Sequence, residues 1–166
     1  TYNETVILKK SLNLSGAGCG LTIWKGTAIT DRALVISRDA GMPDDVHVEI
    51  TGFSFETENN QTLRGDWSTG YTEELTLDIH GNCFKHVNTR NPGTDFALWV
   101  DGANQAVRGA TGALRIYDNL FDVVTGGVLF EQCRAVDVLE NTFNVTYEAV
   151  TFNYVGSSAT TYGDQL

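Results

Sequence analysis

Four charged residues occupy the same kind of place in this chain. Glu49, Asp78, Arg115 and Asp137 each stand between two apolar neighbours: Val48 and Ile50, Leu77 and Ile79, Leu114 and Ile116, Val136 and Val138. In a strand, such a residue points away from the side that its neighbours bury. With those strands side by side, the four line up on one outer face, neighbours roughly 4.8 Å apart. Two carboxylates about 5 Å apart can carry out retaining glycoside hydrolysis, one as acid and one as nucleophile. Glu49 and Asp78 are the pair placed for it. The same spacing also makes a plain charge ladder in which Arg115 bridges acidic neighbours. The ladder is the favoured reading, because a regular repeat generates such pairs by itself.

Two further groups could meet a ligand. Arg64, Asp66, Trp67 and Tyr71 fall together in the polar stretch 57–74, where aromatic rings offer stacking to a sugar and carboxylates accept from its hydroxyls. Trp99, Leu129 and Thr151 occupy equivalent outward positions on another set of strands. An exposed Trp beside an exposed Leu suggests a face covered by another subunit, or a platform for sugar rings.

A repeat positions all of these residues. I-Y-D-N-L-F at 116–121 returns as V-L-E-N-T-F at 138–143, with Asn119 to Asn141 and Phe121 to Phe143 both 22 residues apart. Ile79 to Phe84, I-H-G-N-C-F, is a third copy, and Ile50 to Phe55, I-T-G-F-S-F, a looser one. Strand one of each unit is Val46–Ile50, Leu75–Ile79, Leu114–Ile116 and Val136–Val138; strand two carries the N-x-F phrase; strand three is 97–100, 128–130 and 150–152. Before them, Val6 with Leu8, Leu12 with Leu14, and Leu21 with Ile23 read as short alternating strands. Three strands in 22 residues, repeated in one direction, leave no room for hairpins. The chain is therefore expected to be all-β, a right-handed parallel β-helix of three-strand coils over residues 1–155, with 156–166 a linker or exit segment. Asn82, Asn119 and Asn141 then stack as an amide ladder, and Phe84, Phe121 and Phe143 as a core stack. Surplus length places loops at 57–74, 88–95 and 101–112.

Composition excludes several classes. Eleven Lys and Arg against 21 Asp and Glu give a net charge of −10, which argues against nucleic acid and anionic membranes as partners. No apolar run reaches the ~20 residues that span a bilayer, and no signal peptide is visible. Cys19, Cys83 and Cys133 are far apart, and His47, His80 and His86 lack ligand spacing, so neither a metal nor a cofactor is expected. The cysteines read as small buried fillers of a reducing compartment. A start in a repeat-like phrase without an initiator Met suggests a segment of something longer.

The opening TYNETVILKKSLNLSGAG resembles the first coils of pectin-lyase-like right-handed β-helices, a superfamily holding polysaccharide lyases, pectinesterases and phage tailspikes. Gly93-Thr94-Asp95-Phe96 looks like the pectinesterase segment that carries its nucleophilic aspartate, which makes Asp95 a candidate; the family's glutamine-bearing and arginine–proline–tryptophan motifs do not follow it. A lyase site would need an acidic calcium cluster facing a basic residue, and Asp78, Asp137 and Arg115 are the nearest approximation. A short acidic β-helix with an apolar outer stripe is most similar to phage tailspike or capsid-decorating modules. That likeness implies a homotrimer on a virion or cell exterior, joined to the rest of a larger chain or virion, with a host surface polysaccharide as partner. The competing expectation is a carbohydrate-active enzyme acting on an acidic polysaccharide.

Overall fold

The computed structural model describes residues 1–25, 32–37, 46–57, 62–66, 75–86, 96–101, 114–123, 126–131, 133, 136–145 and 147–153. The described residues form 17 strands in three sheets. The first sheet holds β1 (Tyr2–Asn3), β4 (Ile23–Lys25), β7 (Ser54–Thr57), β10 (Cys83–His86), β13 (Leu120–Val123) and β16 (Thr142–Val145). The second holds β2 (Val6–Leu8), β5 (Leu34–Ser37), β8 (Leu63–Asp66), β11 (Phe96–Asp101), β14 (Gly126–Glu131) and β17 (Val150–Asn153). The third holds β3 (Leu12–Ser15), β6 (Val46–Thr51), β9 (Leu75–His80), β12 (Leu114–Tyr117) and β15 (Val136–Leu139). Every pairing is parallel, and each strand pairs with the one three places on. This path, visiting the three sheets in turn, is compatible with the parallel β-helix expected from the repeat.

Alternation decides which side chains the three walls enclose. On the second sheet Leu34, Leu63, Leu98 and Val128 share one inward row and are fully buried. On the third sheet Ile50, Ile79 and Ile116 do the same. The first sheet contributes rings: Trp24, Phe55, Phe84, Phe121 and Phe143 are consecutive in register. Their centroids lie 5.9, 5.2, 4.7 and 4.8 Å apart. Each such side chain withdrawn from water is worth about 1.5–3 kcal/mol, which makes these rows the main stabilising term.

Between the third and first sheets the chain turns through two residues only. The first of the two is left-handed in four successive coils: Gly52 (φ 76), Gly81 (φ 62), Asp118 (φ 55) and Glu140 (φ 55). The second is Phe53, then Asn82, Asn119 and Asn141. Each amide oxygen accepts the backbone N–H of the preceding coil: Phe53 to Asn82 Oδ1 at 3.0 Å, Asn82 to Asn119 Oδ1 at 3.1 Å, Asn119 to Asn141 Oδ1 at 3.0 Å. Each Nδ2 donates to carbonyls at the end of the third sheet, Asn119 Nδ2 to Ile79 O at 2.8 Å and Tyr117 O at 2.9 Å. The expected amide ladder is thus a device that closes this corner.

Two of the glycines here can be told apart by experiment. A Cβ on Gly81 would meet Thr51 Oγ1 at 3.3 Å, whereas one on Gly52 would meet the Gly16 carbonyl oxygen at 2.6 Å. Gly81→Ala should therefore cost only the left-handed penalty, about 1–2 kcal/mol, and Gly52→Ala about 3 kcal/mol because backbone must also move. Urea unfolding of the two variants checks the order.

Three expectations need correction. Leu21 does not join a strand; it is 75 % exposed in a turn in which its N–H donates to Gly18 O, and β4 starts at Ile23. The stretch 57–74 is not one loop leaving the wall, since β8 within it lies between β5 and β11. Nor are all the cysteines isolated fillers: Cys19 and Cys83 form a disulfide with Cα atoms 5.6 Å apart. Only coil register brings this pair together. The corner after β3 folds over Ser54, whose Oγ accepts from Gly20 N at 2.6 Å, and reaches Cys83 on the next strand of the first sheet. Cys133 does match the expectation of a buried small residue, its thiol donating toward Val100 O and Glu131 O.

Candidate functional site

The outer face of the third sheet carries two columns of polar side chains. Asn13, Glu49, Asp78, Arg115 and Asp137 are consecutive in register, so the four charged residues do line up. Beside them run Ser15, Thr51, His80, Tyr117 and Leu139. The sequence reading missed the second column. Its signal was present, since His80 and Tyr117 both follow the inward isoleucine and precede the left-handed corner residue.

The two columns are cross-linked. His80 Nε2 lies 3.1 Å from Glu49 Oε1, and its Nδ1 lies 3.4 Å from Thr51 Oγ1. Arg115 Nη1 meets Asp78 Oδ1 at 3.5 Å, and the Arg115 guanidinium sits 5.0 Å from the centre of the Tyr117 ring. Tyr117 stacks on His80 at 4.7 Å, the rings 7° from parallel. Glu49 and Asp78 are thus neighbours across one strand spacing, as hydrolysis would need, but each carboxylate is engaged by a basic side chain. Those contacts occupy oxygens that a leaving group or an anomeric carbon would have to approach. What the arrangement does chemically is hold alternating charge in fixed order on a rigid wall.

Partial burial pushes the Tyr117 phenol above its ordinary value, the Asp78 carboxylate adds to this, and Arg115 opposes it. A phenol raised in the folded state supports stability below the unfolded value near 10, and that support is lost as pH rises through the folded one. In a spectrophotometric titration one of the six tyrosines should ionise above the ordinary range, and Tyr117→Phe should abolish that phase.

The second sheet has its own outer row: Ile7, Val35, Arg64, Trp99, Leu129 and Thr151. Arg64 comes from a strand instead of a loop, and its guanidinium lies 4.8 Å from the Trp99 ring centre. It also reaches Asp101 Oδ2 at 3.4 Å. Trp99 Nε1 donates to Glu131 Oε2 at 3.0 Å, and Thr151 donates to Glu148. Leu129, expected to be exposed, is only 4 % so, flanked in register by Trp99 and Thr151. The row is therefore a network of polar and aromatic contacts and not a bare apolar stripe. Asp66 lies on β8 next to Asp101 in register, but its side chain is outside the described residues, as are Trp67, Tyr71 and Asp95 altogether. The structure brings Arg64 to Trp99, two groups that the sequence reading had kept apart.

Among the described residues no cluster of His, Cys, Asp and Glu is arranged to hold a metal ion, and no helix is long and apolar enough to cross a membrane. Compared with known proteins, the chain matches no family model, no curated protein and no solved structure.

Proposed function

We propose that this chain is the β-helical part of a virion-surface protein of the tailspike or capsid-decorating kind, a right-handed coil that stands as a trimer and meets host surface glycan through its loops. It acts by binding, not by turnover. One observation carries this reading: the carboxylates best placed for hydrolysis, Glu49 and Asp78, are each held by a basic side chain, His80 and Arg115. A row so tied serves a rigid display surface better than a reacting pair. The disulfide suits exposure to oxidising surroundings, and the net charge of −10 suits a partner that is not a polyanion. Trp99 and Thr151, the partly exposed members of the second sheet's outer row, are the proposed subunit contact, with Leu129 between them. Arg64, with Asp66, Trp67 and Tyr71, is the proposed glycan-facing group.

The neighbouring register of Glu49 and Asp78 keeps one other reading in play, a polysaccharide-cleaving enzyme. Both are tested by mass in solution together with binding and product analysis on bacterial surface polysaccharides. The expected result is three times 18.1 kDa, saccharide retention without new chain ends, and dissociation by Trp99→Glu. A monomer that retains no saccharide sinks the proposal. Cleavage abolished by Glu49→Gln or Asp78→Asn would establish the enzyme instead.

A further inference from the structure

Toward the C-terminal side, the three sheets finish on β16, β17 and β15. Among the described residues nothing pairs with their outer edges. That end also shows apolar surface: Phe152 is 39 % exposed, and Phe143, Val145 and Val150 are only partly buried. Unmet N–H and C=O groups around an open core end form a template for one more coil. We infer that residues 154–166 of this same chain cover that edge as the next coil, in place of the exit segment that their polar composition suggests.

The repeat carries the inference. Moved forward by 23 residues, Leu139-Glu140-Asn141-Thr142-Phe143 falls on Tyr162-Gly163-Asp164-Gln165-Leu166. The likeness to His80-Gly81-Asn82-Cys83-Phe84 is closer still. Gly163 takes the left-handed corner place, where Gly81 has φ 62 and Glu140 φ 55, a conformation glycine adopts at no steric cost. Leu166 takes the place of the stacked rings. Upstream, Val155 follows Phe152 by three residues, as buried Cys133 follows Phe130.

The ladder supplies an independent reason. In each observed step the oxygen of the following coil receives the N–H of the preceding one, and Asn119 Nδ2 also donates to Asn141 Oδ1 at 3.0 Å. By the same rule Asn141 N–H calls for an oxygen one coil on, and the Asp164 carboxylate provides it. Unlike an amide, an ionised carboxylate has no hydrogen to give to a strand-end carbonyl, as Asn141 Nδ2 gives to Ile116 O at 2.7 Å. Asp164 can therefore accept the ladder but not extend it, which makes it the terminal member.

The test is hydrogen exchange and thermal unfolding of the full chain carrying Gly163→Val or Leu166→Asp. The first puts a β-branched residue in a left-handed position, and the second puts charge on the end of the ring stack. Each should lower the melting midpoint by about 5 °C and speed exchange of the amides in Thr142–Val145 about tenfold. Variants that melt and exchange like the parent would overturn the inference. Edge protection that ignores both substitutions but disappears on dilution would also overturn it, since a second copy would then be the occupant.

Discussion

Reduction of the Cys19–Cys83 bond is expected to lower the stability of the fold by about 4 kcal/mol and its melting midpoint by about 10 °C. The size follows from the sequence separation of 64 residues. A cross-link over that span removes a large share of the unfolded chain's freedom, and it ties the corner after β3 to β10, across the intervening β7. Scanning calorimetry with and without reductant gives the number. Thiol titration in denaturant should count one thiol before reduction and three after. Cys19→Ser with Cys83→Ser should reproduce the reduced protein, and a double variant that melts with the parent would show that the bond constrains nothing.

Asn119→Asp should be about as damaging as loss of the disulfide, although it changes one atom type. Asn119 is 2 % exposed, and its Nδ2 faces Ile79 O, Tyr117 O and Asn141 Oδ1 at 2.8, 2.9 and 3.0 Å. A carboxylate sets a charged oxygen against those three oxygens with no hydrogen between them. With roughly 1–3 kcal/mol lost for each buried partner left unmet, a total near 4 kcal/mol is expected at neutral pH. The sign of the pH dependence separates this from simple loss of packing. In the variant the folded state favours the protonated acid, so its deficit should shrink as pH falls below the usual carboxyl value near 4. Asn119→Ala, with no acid to protonate, should stay about 3 kcal/mol down at every pH. Chemical unfolding of both variants at pH 7 and pH 3.5 decides between the two accounts.

These two residues mark how far the sequence can be read. The Asn119 ladder was legible because amide, left-handed residue and ring recur together, so that one copy predicts the others. The disulfide was not, because Cys19 sits in a corner outside the 22-residue phrase and nothing local points it at Cys83. β8 was hidden for a related reason. Its only large apolar residue is Leu63, and Gly65 fills the second inward place, where Val100 Cγ1 comes within 3.4 Å of where a Cβ would stand. A strand that lends its neighbour space instead of a side chain shows no alternation. That same strand carries Arg64, so the contact with Trp99 was hidden along with it. The charged column on the third sheet was legible as a row, but the role of His80 and Tyr117 in tying it was not, because a cross-strand contact depends on pairs far apart in the chain.

The corner held by the ladder has a consequence for variation. From Thr51 to Ser54, His80 to Cys83, Tyr117 to Leu120 and Leu139 to Thr142, the same two-residue link recurs. The other connections differ widely in length, as between Val123 and Gly126 or between Asp101 and Leu114. One edge of the prism is a spine that tolerates no change of length, and the other two are open margins where chain can be added without unstacking the interior. New surface can therefore accumulate on those margins while the spine keeps every rung at the same height.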